Sequence, residues 1–217
     1  VLLSMGVVVG QEGWETPIFR DTMESIVVNP YWNVPASIEE DEILPAIRRE
    51  PDYLAIHHME ILLNNQVIDP SSIDWAAIPI GDSRYRFRQR PGPENALGQV
   101  KFLFPNRHNV YLHDTPADAL FSESSRAFSH GCIRLEKPLD LARVLMDRVT
   151  ETPPSQLDAL LARDSEQWIP VTEPLPVYVL YFTAWAGRDG TMRFHPDVYE
   201  RDQRLDEQAR RALRAAN

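Results

Sequence analysis

Residues 113–134 read HDTPADALFSESSRAFSHGCIR and contain the chain's single cysteine, Cys132. Cysteine catalysis needs a thiol that can ionise, a base to take its proton, and donors for the developing oxyanion. His113 and His130 are the nearby bases. The turn SHGC at 129–132 supplies backbone N–H groups that can converge on one point, and its glycine permits an unusual dihedral. The stretch therefore predicts a nucleophilic cysteine.

A single cysteine has two interpretations, a small buried packing residue or a reactive thiol. One cysteine forms no internal disulfide, so the cysteine content leaves the redox compartment open. The tripeptide His-Gly-Cys alone does not separate the two interpretations. The pattern becomes specific when His113 upstream and Ile133-Arg134 downstream are added, and it then favours the nucleophile.

The pattern resembles that of the YkuD-type L,D-transpeptidases, which carry a His, a gap of about fifteen residues, Ser/Thr-His-Gly-Cys, and an Arg or Asn two residues on. Here fifteen residues separate His113 from Ser129. The flanks are similar to the long periplasmic branch of Gram-negative bacteria. The similar segments are RFRQ at 86–89, PGP at 91–93, NALG at 95–98, KF at 101–102, FPN at 104–106, YLHDTP at 111–116 and EKP at 136–138.

The resemblance implies a role for each matching residue. Cys132 matches the nucleophile and His113 the base that activates it. The backbone carbonyl of Asp114 is expected to orient His113. A Cys-His-Asp triad through the Asp114 side chain is not expected, because consecutive side chains on a strand point to opposite faces. The backbone of His130, Gly131 and Cys132 matches the oxyanion hole.

Four further residues are substrate-binding or accessory candidates. Arg134 lies two residues from Cys132, and either binds a substrate carboxylate or braces the turn through carbonyl contacts. Tyr111 shares a strand face with His113 and lines the cleft or joins the core. Ser129 is a candidate substrate contact. His130 is either a second base or only part of the turn.

Residues 84–90 read RYRFRQR and place four arginines on one strand face. This row either contacts anionic wall material or is a solvated face. The remaining histidines show no metal-ligand spacing with Cys132. We therefore expect no metal and no cofactor.

The composition excludes some classes of protein. Of the 217 residues 43% are hydrophobic, enough for a core without disulfides. The net charge of −10 argues against a nucleic-acid partner. No apolar run approaches the roughly 20 residues of a transmembrane helix. The opening VLLSMGVVVG lacks a basic flank and a cleavage site, so we interpret it as a strand and not as a signal peptide. Its abrupt start suggests that the chain is a fragment of a longer protein.

The elements predict a mainly β domain with packed helices over 1–217. Residues 31–83 form a partly helical insertion, with a capping box at 37–40, a stripe of Ile43, Leu44 and Ile47, and Pro45 as a kink or break. Predicted strands are 5–10, 25–29, 84–90, 99–104, 109–113 and a buried one at 176–185. Predicted helices are 139–149, 155–163 and 196–215.

The resemblance implies a periplasmic β-sandwich enzyme whose insertion at 31–83 caps the substrate. Its partners would be peptidoglycan stem peptides, a tetrapeptide donor and a diaminopimelate acceptor, with carbapenems as covalent inhibitors. Alternatives on the same scaffold are an L,D-carboxypeptidase and an enzyme that attaches or releases a lipoprotein. A non-catalytic wall-binding module with an inert Cys132 is a further alternative. A sortase-like enzyme is disfavoured, because its Thr-x-Thr-Cys type of motif is absent.

Overall fold

The computed structural model describes residues 1–79, 82, 84–187 and 189–215. Three residues of the predicted insertion, at 80, 81 and 83, lie outside the described residues. The strands are β1 (Val7–Gly10), β2 (Phe19–Val28), β3 (Trp32–Asn33), β4 (Met59–Leu63), β5 (Gln66–Ile68), β6 (Tyr85–Gln89), β7 (Val100–Leu103), β8 (Leu112–His113), β9 (Ala127–Ser129), β10 (Ile133–Leu135), β11 (Gln167–Val179), β12 (Ala184–Ala186) and β13 (Met192–Phe194). The α-helices are α1 (Ala36–Ile38), α2 (Leu44–Arg49), α3 (Tyr53–Ile56), α4 (Pro138–Val149), α5 (Leu157–Leu161) and α6 (Arg201–Ala215).

The main sheet has the strand order β11-β2-β7-β8-β10-β1-β9. Its pairs are antiparallel except for β8 with β10 and β1 with β9, which are parallel. The apolar side chains of this sheet pack against α4 and α5, and the predicted fold class of strands with packed helices is confirmed. The buried members are Met23, Ile26, Val28, Val100, Phe102, Phe104, Val110, Ile133, Leu135, Ala142, Leu145, Met146, Leu157, Leu160 and Ile169.

Helix α4 illustrates how the sequence specifies this core. Pro138 stands in its first turn, where the missing N–H is not needed. Three members of the predicted apolar stripe, Ala142, Leu145 and Met146, are buried against the sheet. Helix α4 therefore confirms the predicted helix at 139–149 and covers the sheet next to the strands that carry the site.

The insertion forms a second small sheet with the order β3-β6-β4-β5 and a core of its own. A π-helical turn, Glu39–Ile43, joins α1 to α2, and Pro45 lies in the first turn of α2. The predicted stripe of Ile43, Leu44 and Ile47 is buried in this core. Because β6 pairs with β3 and β4, the sheet extends past residue 83 to Gln89. We call residues 32–89 the insertion subdomain.

Two predicted elements were wrong. The helix starts at Ala36 after Pro35, with no side-chain cap, so Ser37 lies inside the helix instead of capping it. The strand predicted at 176–185 ends at Val179 and begins already at Gln167. Strand β11 is an edge strand, where prolines are tolerated, and its outward side chains stay exposed.

Other predicted bounds changed in length only. The strand predicted at 109–113 is reduced to Leu112–His113, and the terminal helix begins at Arg201. Residues 155–163 form a 3-10 turn followed by α5. These shifts leave the order of elements unchanged.

The register of the three central strands positions the site. Lys101 on β7 and Arg134 on β10 both stand directly opposite His113 on β8. Residues in register on neighbouring strands present their side chains on the same face of a sheet. His113 therefore lies between two basic residues in one row.

Candidate active site

Cys132 and His113 line one cavity of about 340 Å³ between the main sheet and the insertion subdomain. This volume lies within the usual range for small-ligand pockets, about 300–1,000 Å³. The insertion subdomain supplies one wall with Trp32, Asn33, Val34, Pro35, Ile38 and Arg86. The other wall consists of Ala96, Leu97, His108, Asn109, Tyr111, His113, Ser129, His130, Cys132 and Arg134. The predicted catalytic and substrate-binding side chains are thus brought together.

His113 is a buried imidazole whose tautomer can be deduced from its contacts. Its Nδ1 lies 2.5 Å from the backbone carbonyl oxygen of Asp114. A carbonyl can only accept, so Nδ1 carries the hydrogen and Nε2 of the neutral ring has the lone pair. Burial, aided by the charges of Arg134 and Lys101, lowers the pKa of His113 to about 4, although the contact with the Asp114 carbonyl opposes this shift. His113 is therefore a neutral base near neutral pH.

The Asp114 side chain turns away from His113. Its carboxylate accepts hydrogen bonds from the N–H of Gln99 at 2.8 Å and of Thr115 at 2.7 Å. Only the backbone carbonyl of Asp114 meets the imidazole. The arrangement is that of an imidazole oriented by a backbone carbonyl, without a contribution from the Asp114 side chain.

Cys132 is a free cysteine at the entrance to β10. Its Sγ lies 3.8 Å from the carbonyl oxygen of Asn109, which the thiol approaches as a donor. Burial raises the pKa of this thiol, while contacts from Tyr111 and the charge of Arg134 oppose the rise. The resting thiol is consequently protonated near neutral pH, and the thiolate must form by transfer of its proton to a base.

The turn from Ser129 to Cys132 is held by internal hydrogen bonds. The Ser129 hydroxyl donates to the Cys132 carbonyl at 2.5 Å and accepts from the Gly131 N–H at 3.1 Å. Gly131 has a φ of 108°, a region that favours glycine. Among the described residues, the N–H groups of His130 and Cys132 have no backbone or side-chain acceptor. These two groups are the candidate oxyanion donors, since the Gly131 N–H is already engaged.

The His130 ring contacts two side chains, Glu42 and Trp14. Its Nε2 lies 3.0 Å from Oε1 of Glu42 in the π-helical turn of the insertion subdomain. The Trp14 ring meets the imidazole edge-on, with centroids 5.2 Å apart. His130 therefore connects the turn to the insertion subdomain, and its ring is occupied by structural contacts.

Arg134 brings a positive charge into the cavity. No carboxylate of the described residues lies within 4.0 Å of its guanidinium, and its buried Nε has no hydrogen-bond partner there. Arg134 is half-buried, and a partly desolvated cation of this kind is suited to an incoming anion. Tyr111, whose ring centroid lies 5.7 Å from that of His113, completes this side of the cavity.

Most of the predicted arginine row is paired inside the insertion subdomain. Nε of Arg86 lies 3.1 Å from Glu39, and Nε of Arg88 lies 2.7 Å from Glu60. Arg84 pairs with Asp82 at 2.6 Å. Of this row only Arg86 also lines the cavity.

Sequence reasoning missed Lys101 as a positive charge in register with His113. It is 8% exposed, and Nζ lies 3.8 Å from Oε1 of Glu166. Burial lowers the pKa of Lys101. A lysine within the otherwise apolar run VKFLF at 100–104 was the available signal, because lysines are rarely buried without a function or a partner.

Among the described residues, no group of three or more His, Cys, Asp or Glu side chains is arranged to hold a metal ion. None of the helices in the described ranges is long and apolar enough to cross a membrane.

Two comparisons with known proteins identify the family of this chain. A family model described as the L,D-transpeptidase catalytic domain (YkuD) matches residues 1–179. A Haemophilus influenzae protein named "Putative L,D-transpeptidase" is 36% identical over 211 residues, which is 95% of this chain. The chain spans 42% of that relative's length. On the family match and this identity, the chain belongs to the YkuD family of L,D-transpeptidase catalytic domains.

Proposed function

We propose that this chain is a peptidoglycan L,D-transpeptidase that cross-links diaminopimelate residues of stem peptides through a Cys132 thioester. One observation carries the proposal: the single thiol lines the same cavity as a buried imidazole whose tautomer leaves Nε2 able to accept a proton. A nucleophile and an oriented base are the minimum that acyl transfer by cysteine requires.

In the first transfer, the Cys132 proton moves to Nε2 of His113 as Sγ attacks the carbonyl carbon between diaminopimelate and D-alanine of a tetrapeptide stem. The tetrahedral intermediate collapses, and the bond from carbon to the D-alanine nitrogen breaks. His113 returns its proton to the leaving amine. The product is a thioester on Cys132 and free D-alanine, with the imidazole neutral again.

The developing oxyanion would be held by the N–H groups of His130 and Cys132. These donors project from a turn that Ser129 fixes with two hydrogen bonds. Removing one such donor typically lowers the rate of acyl transfer by about 10²–10³.

Arg134 would bind a carboxylate of the donor stem. Arg134 lies in β10, two residues after Cys132, and both residues line the same cavity. The terminal carboxylate of D-alanine and the free carboxylate of diaminopimelate are the available anions next to the scissile bond. Binding either one places the carbonyl carbon near Sγ, which is the positioning that acyl transfer needs.

In the second transfer, the side-chain amine of diaminopimelate on another stem attacks the thioester carbonyl. His113 takes a proton from this amine and gives it to the departing Sγ, which regenerates the thiol. No metal or cofactor enters these steps.

The insertion subdomain would act as the cap that keeps water from the thioester. It forms a wall of the cavity and contacts the turn from Ser129 to Cys132 through Glu42 and His130.

Trp32 and Gln89 are antiparallel partners at the two ends of the insertion subdomain, so their Cα atoms are roughly 5 Å apart. A two-residue turn can therefore replace residues 33–88. We expect the variant to form less cross-linked dimer and more hydrolysed tripeptide, with its fold checked by circular dichroism. An unchanged ratio in a folded variant would contradict the capping role.

Mass spectrometry of products from a purified tetrapeptide muropeptide tests the reaction itself. A transpeptidase gives cross-linked dimers and free D-alanine, and Cys132→Ala gives neither. Tripeptide as the only product would identify an L,D-carboxypeptidase. A lack of turnover together with retained binding would indicate a wall-binding module. Action on peptidoglycan further implies a periplasmic location for the whole protein, which a fusion to a compartment-specific reporter would test.

A further inference from the structure

The chain continues past the region matched by the family, and this part carries a deeply buried residue, Tyr199. Residues 180–215 include the hairpin β12–β13 and helix α6, and we call them the C-terminal arm. Most of the arm's apolar side chains are exposed, whereas Tyr199 is only 4% exposed. A buried tyrosine usually has a partner for its hydroxyl.

The Tyr199 hydroxyl joins the arm to the segment after β1. It donates to the Gly10 carbonyl at 2.7 Å and accepts from the Thr16 N–H at 3.3 Å. The Arg201 guanidinium lies over the Tyr199 ring, 5.1 Å from its centroid, and 3.4 Å from Glu15. The arm thus forms hydrogen bonds at both ends of the loop at 11–16.

The loop at 11–16 in turn contacts the catalytic turn. Oγ1 of Thr16, a buried side chain, accepts from the Gly10 N–H at 2.9 Å and donates to the Gly131 carbonyl at 2.9 Å. The Gln11 N–H donates to the Ser129 carbonyl at 2.9 Å. The hydroxyl of Thr16 is therefore the direct link from this loop to the peptide unit that precedes Cys132.

The geometry of a peptide unit gives this link a chemical consequence. The Gly131 carbonyl and the Cys132 N–H belong to the same planar trans peptide, so they point in opposite directions. Fixing the carbonyl on Thr16 fixes the N–H on the other side. An external contact on this peptide is important because Gly131, which has a φ of 108°, lacks the Cβ that would restrict its backbone dihedrals.

We propose that Thr16 and Tyr199 are positioning residues that orient the Cys132 N–H as an oxyanion donor, so that the C-terminal arm supports catalysis. The inference rests on the proposed acyl transfer. Thr16 acts directly on the Gly131–Cys132 peptide, and Tyr199 acts through Thr16 and Gly10.

The test compares two reactions of the same sulfur in the full chain. Acylation by a carbapenem needs oxyanion stabilisation, whereas alkylation by iodoacetamide is displacement at a saturated carbon and does not. The rates of both are followed by intact-protein mass spectrometry. The ratio of the two rates reports on the oxyanion donors and is insensitive to a general loss of thiol reactivity.

Thr16→Val removes the hydroxyl at nearly constant shape, and we expect acylation to fall about 10–100-fold with alkylation unchanged within about twofold. Thr16→Ser keeps the hydroxyl and should restore acylation to within about threefold of wild type. Tyr199→Phe should slow acylation by about three- to tenfold. Tyr178→Phe is the matched control, because Tyr178 lies exposed on β11 and should change neither rate.

Three outcomes would overturn the inference. Acylation of Thr16→Val at the wild-type rate, or a parallel fall of acylation and alkylation, would leave Thr16 with a structural role only. Failure of Thr16→Ser to restore acylation would exclude the hydroxyl as the active group. Should Thr16→Val not fold, Thr16→Ser and Tyr199→Phe still decide through the ratio. Wild-type Cys132 that alkylates but is never acylated would instead refute the proposed function.

Discussion

Acidification should destabilise the folded chain through His113. The pKa of this imidazole falls from 6.5 to about 4 in the folded state, chiefly by burial and then by the charges of Arg134 and Lys101. As the pH falls, the unfolded chain binds this proton before the folded chain does. The contribution of His113 to the free energy of unfolding is therefore fully present above about pH 6.5 and is lost toward about pH 4. A change of this size corresponds to roughly 3 kcal/mol of unfolding free energy.

The measurement is urea unfolding of wild type and His113→Gln at a series of pH values. Glutamine removes the titration but keeps an amide that can donate to the Asp114 carbonyl. Titrations elsewhere, including that of Asp114, whose pKa burial raises, occur in both chains and largely cancel in the difference. We expect the free energy of unfolding of wild type, relative to that of His113→Gln, to fall by roughly 2–3 kcal/mol between about pH 7.5 and about pH 4.5.

A difference in unfolding free energy that stays constant with pH would refute the reasoning. It would mean that His113 titrates normally in the folded chain and that the row between Lys101 and Arg134 does not keep it neutral.

Further predictions concern the chemistry of the cavity. Cys132→Ala should stay folded and take up no carbapenem, whereas wild type takes up one equivalent; equal labelling by intact mass would place the reactive group elsewhere. His113→Ala should slow acylation by about 10²–10⁴, and a wild-type rate in pre-steady-state measurements would exclude it as the base. The alkylation rate of Cys132 by iodoacetamide should still rise with pH beyond about pH 9, because burial raises the pKa of the thiol; a plateau near neutral pH would contradict this. Arg134→Gln should lower the rate with a stem peptide by about tenfold or more, but should have less effect with the matching carboxamide analogue, and equal losses with both would argue against carboxylate binding.

The roles of the reactive residues were implied by the family resemblance, which a single sequence reveals because the matching motif is local. Residues 129–132 form one turn, and His113 with Asp114 form one dipeptide in which the carbonyl reaches its own neighbour's ring. Such contacts need only the right residues at the right spacing. The role of the Asp114 side chain followed from strand alternation alone.

Contacts between distant segments could not be predicted in this way. Thr16 is far from Gly131 in the sequence, and Tyr199 lies farther still from Gly10. No periodicity indicates which hydroxyl will meet which carbonyl after folding. The engagement of the Gly131 N–H by Ser129 likewise depends on a side-chain rotamer that sequence does not specify.

The two wrong elements have local explanations of a different kind. The apolar run after Val177 suggested burial, but three prolines in β11, at 170, 174 and 176, suit an unpaired edge. Ser37 does not cap the helix because Pro35 is itself the extended residue that precedes it, so the helix begins one residue before Ser37. In both cases proline was the stronger signal.

The charges around Cys132 indicate when the reactive ions form. Burial, and after it the charges of Arg134 and Lys101, disfavours a protonated His113, and burial disfavours the Cys132 thiolate. Both resting groups are therefore neutral, and in the proposed acyl transfer charge would separate only as the thiol attacks a carbonyl. At that moment Arg134 and the N–H groups of the turn would face negative charge, while the Asp114 carbonyl, 2.5 Å from Nδ1, would face the imidazolium. Under the proposed function, a site arranged in this way would stabilise the transition state more than the resting state, which is the requirement for catalysis.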